Sequence, residues 1–163
     1  MNSFRTKEAD RLRQLVRVCD KELAGLTRVM ARLFAVPLTA DLLASLDENE
    51  DLSERLDAFS ARFGRLQDAL TDKLLPAYFS LVREPPRPVV EMLDRAERLG
   101  LIASTDAFLE ARKLRNRLVH EYVEDKNELA ANLGVARDFV PHLQSALANV
   151  AQALARLPQG PST

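Results

Sequence analysis

Between Leu52 and Leu74 the apolar residues Leu52, Leu56, Phe59, Phe63, Leu66, Leu70 and Leu74 recur at steps of three and four. That spacing stacks them on one face of a helix, whereas on a strand it would divide them between both faces. The opposite face carries Arg55, Arg62, Arg65, Asp68 and Lys73. A helix with one apolar stripe must bury it against other elements, and the neighbouring segments offer only more helices. From about Ser3 to Phe34, Leu12, Leu15, Val16, Cys19, Leu23, Leu26, Met30 and Leu33 repeat the same period, and Pro37 ends the run. Gly25 lies inside it at a cost of roughly 1 kcal/mol relative to Ala.

The remaining boundaries follow from caps and prolines. Thr39 can cap a short helix over 40–46, and Asp47-Glu48-Asn49-Glu50-Asp51 reads as a solvated acidic connector. Asp51 with Glu54 resembles a capping box for the striped helix. Pro76 should kink or break it, and helical pattern resumes through Val82. Arg83-Glu84-Pro85-Pro86-Arg87-Pro88 is a rigid connector. Val89 to Leu99 forms the next helix, closed by Gly100 at the position after its cap. Ser104 or Thr105 caps a helix that runs to about Tyr122. Asn127 caps the last one, which Pro141 should kink. The expected fold is all-α, an up-and-down bundle of five to six helices with a kinked last helix. Residues 1–157 form one domain and 158–163 a disordered tail.

Composition narrows the function classes. Leu and Ala dominate and Gly is scarce, in keeping with helices. A net charge of −1 provides no global basic field, which argues against bulk electrostatic binding of long duplex nucleic acid. Cys19, the single cysteine, excludes an internal disulfide and a cysteine-based metal site. No apolar run approaches the length of a membrane span and the first ten residues are polar, so a soluble cytoplasmic protein is expected. No ligand spacing points to a metal, and no cofactor is expected.

Polar chemistry is concentrated in Arg115-Asn116-Arg117-Leu118-Val119-His120-Glu121-Tyr122. On a helical wheel Arg115 is flanked by Leu118, Val119 and Tyr122, on the side that should pack against other helices. A buried unpaired charge is costly, so Arg115 needs a partner. Asn116 and His120 are one turn apart and can interact. One reading is structural: Asn116 and His120 bond near a helix C-terminus, and Arg115 pairs with a carboxylate such as Asp68. The other is chemical. A guanidinium can hold a phosphate by two parallel hydrogen bonds, and an imidazole can move protons near neutral pH. Cleaving RNA through its own 2′-hydroxyl needs both a base and an acid. One His120 per chain then implies two motifs facing each other in a two-fold homodimer. His142 lies after Pro141 without polar companions and reads as structural.

Arg115, four intervening residues and His120, with Asn116 after the arginine and Tyr122 two residues past the histidine, resemble the motif of HEPN domains. The form with that tyrosine is similar to HEPN toxins paired with minimal nucleotidyltransferase antitoxins. The resemblance implies a helical bundle and a dimeric, metal-independent endoribonuclease acting as a bacterial toxin. Arg115 and His120 would be catalytic, Asn116 would orient His120, and Tyr122 would be AMPylated by the partner nucleotidyltransferase. Arg112 and Arg117, with Arg62 and Arg65, would extend the RNA-binding surface, although such residues on a helix ordinarily form a solvated face. Two other readings stay open: a non-catalytic subunit that presents nucleotide or substrate to a nucleotidyltransferase, and a plain helical interaction protein.

Overall fold

The computed structural model describes residues 3–120 and 124–158, with Val119 and His120 described in backbone only. Tyr122 and all of the expected tail except Pro158 lie outside the described residues. The elements are α1 (Ser3–Leu33), α2 (Ala40–Leu43), a 3-10 turn (Leu46–Glu48), α3 (Glu50–Asp68), a π-helical turn (Ala69–Leu74), α4 (Leu75–Leu81), α5 (Val89–Arg98), α6 (Thr105–His120) and α7 (Lys126–Ala155). No strand occurs among the described residues, and the chain is an all-α helical bundle. No helix among them is long and apolar enough to cross a membrane.

The striped segment lies at the centre. Phe59, Phe63, Leu66, Leu70 and Leu74 are fully buried, and α3 touches α1, α6 and α7. Aromatic rings join these helices edge to face. Phe34 meets Phe59 at 5.5 Å between ring centroids, Phe63 meets Phe139 at 6.2 Å and Phe108 meets Phe139 at 5.0 Å. Their T-shaped geometries set the negative face of one ring against the positive edge of another. His142 stacks on Phe139 at 5.3 Å, in keeping with a structural histidine. Burial holds the Cys19 thiol up at about 11, so it is protonated at neutral pH.

Caps decide the helix ends, and two differ from the sequence expectation. The acidic stretch is not an open connector throughout: Leu46–Glu48 forms a 3-10 turn and α3 has begun by Glu50. Asn49, not Asp51, caps α3, its Oδ1 accepting from the Leu52 N–H at 3.1 Å. Asp125, not Asn127, caps α7, accepting from the N–H groups of Asn127 at 2.9 Å and Glu128 at 3.4 Å. A carboxylate there also meets the positive end of the helix dipole. Thr39 caps α2 and Ser104 caps α6, accepting at 3.2 and 3.1 Å respectively.

The prolines act in different ways. Pro76 can offer no N–H to the carbonyl one turn back, and its ring would collide with it. The preceding turn widens instead, and the Leu75 N–H donates to the Leu70 carbonyl five residues back. Helix then continues into α4 rather than breaking, with Leu74 and Leu75 both fully buried. Pro141 lies on an exposed position of α7, which runs through it without interruption.

The ends of α4 and α5 share a geometry. After α5, the Leu101 N–H donates to the Ala96 carbonyl and the Gly100 N–H to the Glu97 carbonyl, with Gly100 at φ 73°. After α4, the Glu84 N–H donates to the Phe79 carbonyl and the Arg83 N–H to the Ser80 carbonyl, with Arg83 at φ 63°. Both are Schellman caps, which favour glycine at the left-handed position. An L side chain there costs about 1–2 kcal/mol. The connector beyond is fastened by Glu84. Arg95 grips its carboxylate with Nε at 3.1 Å and Nη2 at 2.7 Å, and Arg87 Nη1 adds a bond at 2.6 Å. Hydrogen bonds from Arg95 and then Arg87 hold the Glu84 carboxyl down at about 2, against the usual 4.5.

Two outcomes follow from these ends. Arg83→Gly should raise stability by about 1 kcal/mol and the melting temperature by roughly 2–4 °C, read by thermal denaturation. Glu84 is more acidic folded than unfolded, so its contribution is complete above pH 4.5 and disappears as pH falls towards about 2. Urea titrations across that window should show Glu84→Gln with a flatter loss of stability than the parent. Parallel curves would mean that the clamp contributes nothing.

Candidate active site

α6 presents its motif by burying one side. Thr105, Phe108, Ala111 and Leu114 are buried at steps of three, and Arg115 follows at the edge of that face. Its side chain is 25% exposed, so the expectation that it leans to the packed side holds. The guanidinium crosses α3 at Gly64. A Cβ on Gly64 would lie 3.3 Å from Arg115 Nε and 3.4 Å from its Cγ, tighter than ordinary contact. Glycine there lets the arginine stem lie against the backbone of α3.

The partner of Arg115 is Asp68, one turn beyond Gly64. Arg115 Nη2 donates to Asp68 Oδ2 at 2.7 Å, and Nη1 donates to Asn116 Oδ1 at 3.3 Å. Arg115 Nε is buried without a hydrogen-bond partner. A guanidinium carries five N–H donors, so among the described residues both terminal nitrogens keep one uncommitted donor each. The Asp68 side chain is 43% exposed, and a pair of this kind contributes about 0–1 kcal/mol. A second pair runs parallel to it, Arg112 Nη1 to Asp72 Oδ1 at 3.3 Å.

The other expected site residues fall as follows. Asn116 is exposed and its carbonyl oxygen faces Arg115; its amide nitrogen has no partner among the described residues. It lines a shallow groove with Val90, Leu109, Arg112 and Lys113. Val90 is among the exposed large apolar residues. Arg117 makes no ion pair among the described residues. Arg62 and Arg65 are drawn to Glu22 on α1, at 4.0 and 3.4 Å, rather than towards Arg115. The His120 side chain and Tyr122 lie outside the described residues, so their place relative to Arg115 is not part of this geometry. No cluster of three or more His, Cys, Asp or Glu side chains suited to a metal occurs among the described residues.

Sequence reasoning missed three residues beside Asp68. Gly64 could have been found from its place in the middle of a strong helix, where glycine is otherwise unfavourable. Gln67 and Thr71 are each 1% exposed, and their side-chain polar atoms have no hydrogen-bond partner among the described residues. They are polar residues immediately beside Leu66 and Leu70 of the stripe, and periodicity alone does not separate flank from core.

Gly64→Ala reports directly on the crossing. With Arg115→Ala in place, the added methyl should gain about 1 kcal/mol from helix propensity. With Arg115 present, it must displace the guanidinium, and the gain should shrink or change sign. Urea denaturation of the four proteins measures the difference, and equal gains in both backgrounds would show that Arg115 does not rest on Gly64.

No protein-family model, no curated protein and no solved structure matches the chain, so the reading of this site rests on its own residues.

Proposed function

We propose that the chain is a metal-independent endoribonuclease of the HEPN type, the toxin of a pair whose antitoxin is a minimal nucleotidyltransferase. The observation that carries this reading is Arg115. It is held at the edge of the packed face of α6 by Asp68 and Asn116, and its two terminal nitrogens each keep a donor. In the proposed reaction those donors bind the scissile phosphate of RNA. His120 takes the proton of the 2′-hydroxyl, which attacks the adjacent phosphorus and expels the 5′-oxygen. The His120 of a second copy protonates that oxygen, so a homodimer forms the complete site. Asn116 orients His120 through its amide, and Arg112 and Arg117 contact the RNA backbone. Tyr122, two residues past His120, receives AMP from the partner enzyme, which sets a phosphate against Arg115 and silences the site. The protein acts in the cytoplasm.

A second reading is favoured by the 2.7 Å Arg115–Asp68 pair. Here Arg115 is a structural tie between α6 and α3, and the chain is a helical binding partner without turnover. The two readings separate in one experiment. The purified protein is incubated with total RNA in EDTA, beside Arg115→Ala and His120→Ala. The nuclease reading expects cleavage by the parent and a loss of about 100-fold or more in both variants, with helical circular dichroism unchanged. A parent that cleaves nothing is the outcome the second reading expects, and variants that cleave as the parent does overturn the assignment of Arg115 and His120. Co-expression with a nucleotidyltransferase should add the mass of AMP at Tyr122 and abolish cleavage.

A further inference from the structure

A groove of about 430 Å³ lies between α4, the proline connector and α5. Pro76 and Phe79 from α4, Pro85 and Pro86 from the connector and Met92 from α5 supply its apolar lining. Arg83 lines it too. The volume falls in the range of small-molecule sites, which combine an apolar lining with a few placed polar groups. The prolines cannot rearrange freely, and Glu84 fastens the connector to Arg95 on α5. The walls are therefore formed before any ligand arrives, which lowers the cost of binding.

Charge selects the kind of ligand. Arg83 and Arg87 line the groove, and Arg87 shares the carboxylate of Glu84 with Arg95 on α5. Arg83 makes no ion pair among the described residues. Two guanidinium groups against the one carboxylate of Glu84 among the lining residues leave the groove net positive, with Arg83 as the open donor. Arg83 is also the residue at φ 63°, where the matching cap after α5 uses Gly100. The chain thus keeps a long cationic side chain at a position where glycine would relieve strain, beside an apolar groove.

We infer that this groove binds a small organic carboxylate with an apolar body, its carboxylate paired with Arg83 and its body laid along Phe79 and Met92. A guanidinium suits a carboxylate because two parallel N–H donors match its two oxygens. The apolar lining excludes small hydrophilic anions from comparable affinity, because they would desolvate without burying apolar surface. The site does not depend on the nuclease reading.

Met92 carries the reporter. Protein labelled with 13C at the methionine methyl groups is titrated with octanoate, octanamide and acetate, with Met92→Leu assigning the resonance. Octanoate should shift the Met92 methyl saturably. Octanamide, which lacks the charge, and acetate, which lacks the body, should bind at least about tenfold more weakly. Arg83→Gly should remain folded, melt higher than the parent and lose the preference for octanoate over octanamide. The inference is overturned if octanoate gives no saturable shift, if octanoate and octanamide bind the parent equally, or if Arg83→Gly keeps the parent's preference.

Discussion

The packing of Phe63 and Phe108 against Phe139 holds the bundle in register. These rings join α3 to α6 and α7, two consecutive helices far from it in sequence. Burying a side chain of this size is worth roughly 1.5–3 kcal/mol, and truncating it to alanine costs about 3–5 kcal/mol because a cavity remains. The same contact seats α6 along α3, so Gly64, the residue after Phe63, lies beneath Arg115. The position of the candidate site is thus a by-product of an aromatic junction, and the polar pair at its surface rides on that junction.

Magnitudes separate scaffold from site. The Arg115–Asp68 pair is partly exposed and contributes about 0–1 kcal/mol, less than any one buried phenylalanine. The fold therefore does not require it. What the pair does is orient: a guanidinium anchored at one terminal nitrogen presents the rest of its fork in a defined direction. On the proposed function, a phosphate arriving at Arg115 would meet a donor already placed but would have to compete with the Asp68 carboxylate 2.7 Å away.

The prolines and caps show how local rules are settled by packing. Pro76 forbids an ordinary helical turn, yet Leu70, Leu74 and Leu75 just before it are fully buried. The chain keeps the burial and widens the turn, since one altered hydrogen bond costs far less than exposing Leu70, Leu74 and Leu75. At the end of α4 the constraint runs the other way: the left-handed position is occupied by Arg83, and the strain persists in a connector already clamped through Glu84.

The all-α class was legible from periodicity alone, because steps of three and four along Leu52–Leu74 have one physical solution. The widened turn was not: Pro76 pointed to a kink or break, and the helix instead continues through a π turn that keeps Leu70 and Leu74 buried. The caps were half legible. Asn49 and Asp125 each lie two residues before the residue expected, where several polar side chains compete for the same N–H groups. Arg115 could be placed on the packed side from its neighbours on the helical wheel. Asp68 was already named there as a carboxylate that could pair with it, and the 2.7 Å contact agrees; that Gly64 would make room, and that Gln67 and Thr71 would be buried beside them, depended on how α6 crosses α3. Arg83 beside an apolar groove also depended on how α4, the connector and α5 pack together. Sequence determined the elements, because hydrogen bonding and burial act along one helix at a time; only the tertiary structure decided the partners, because a partner is a property of two helices at once.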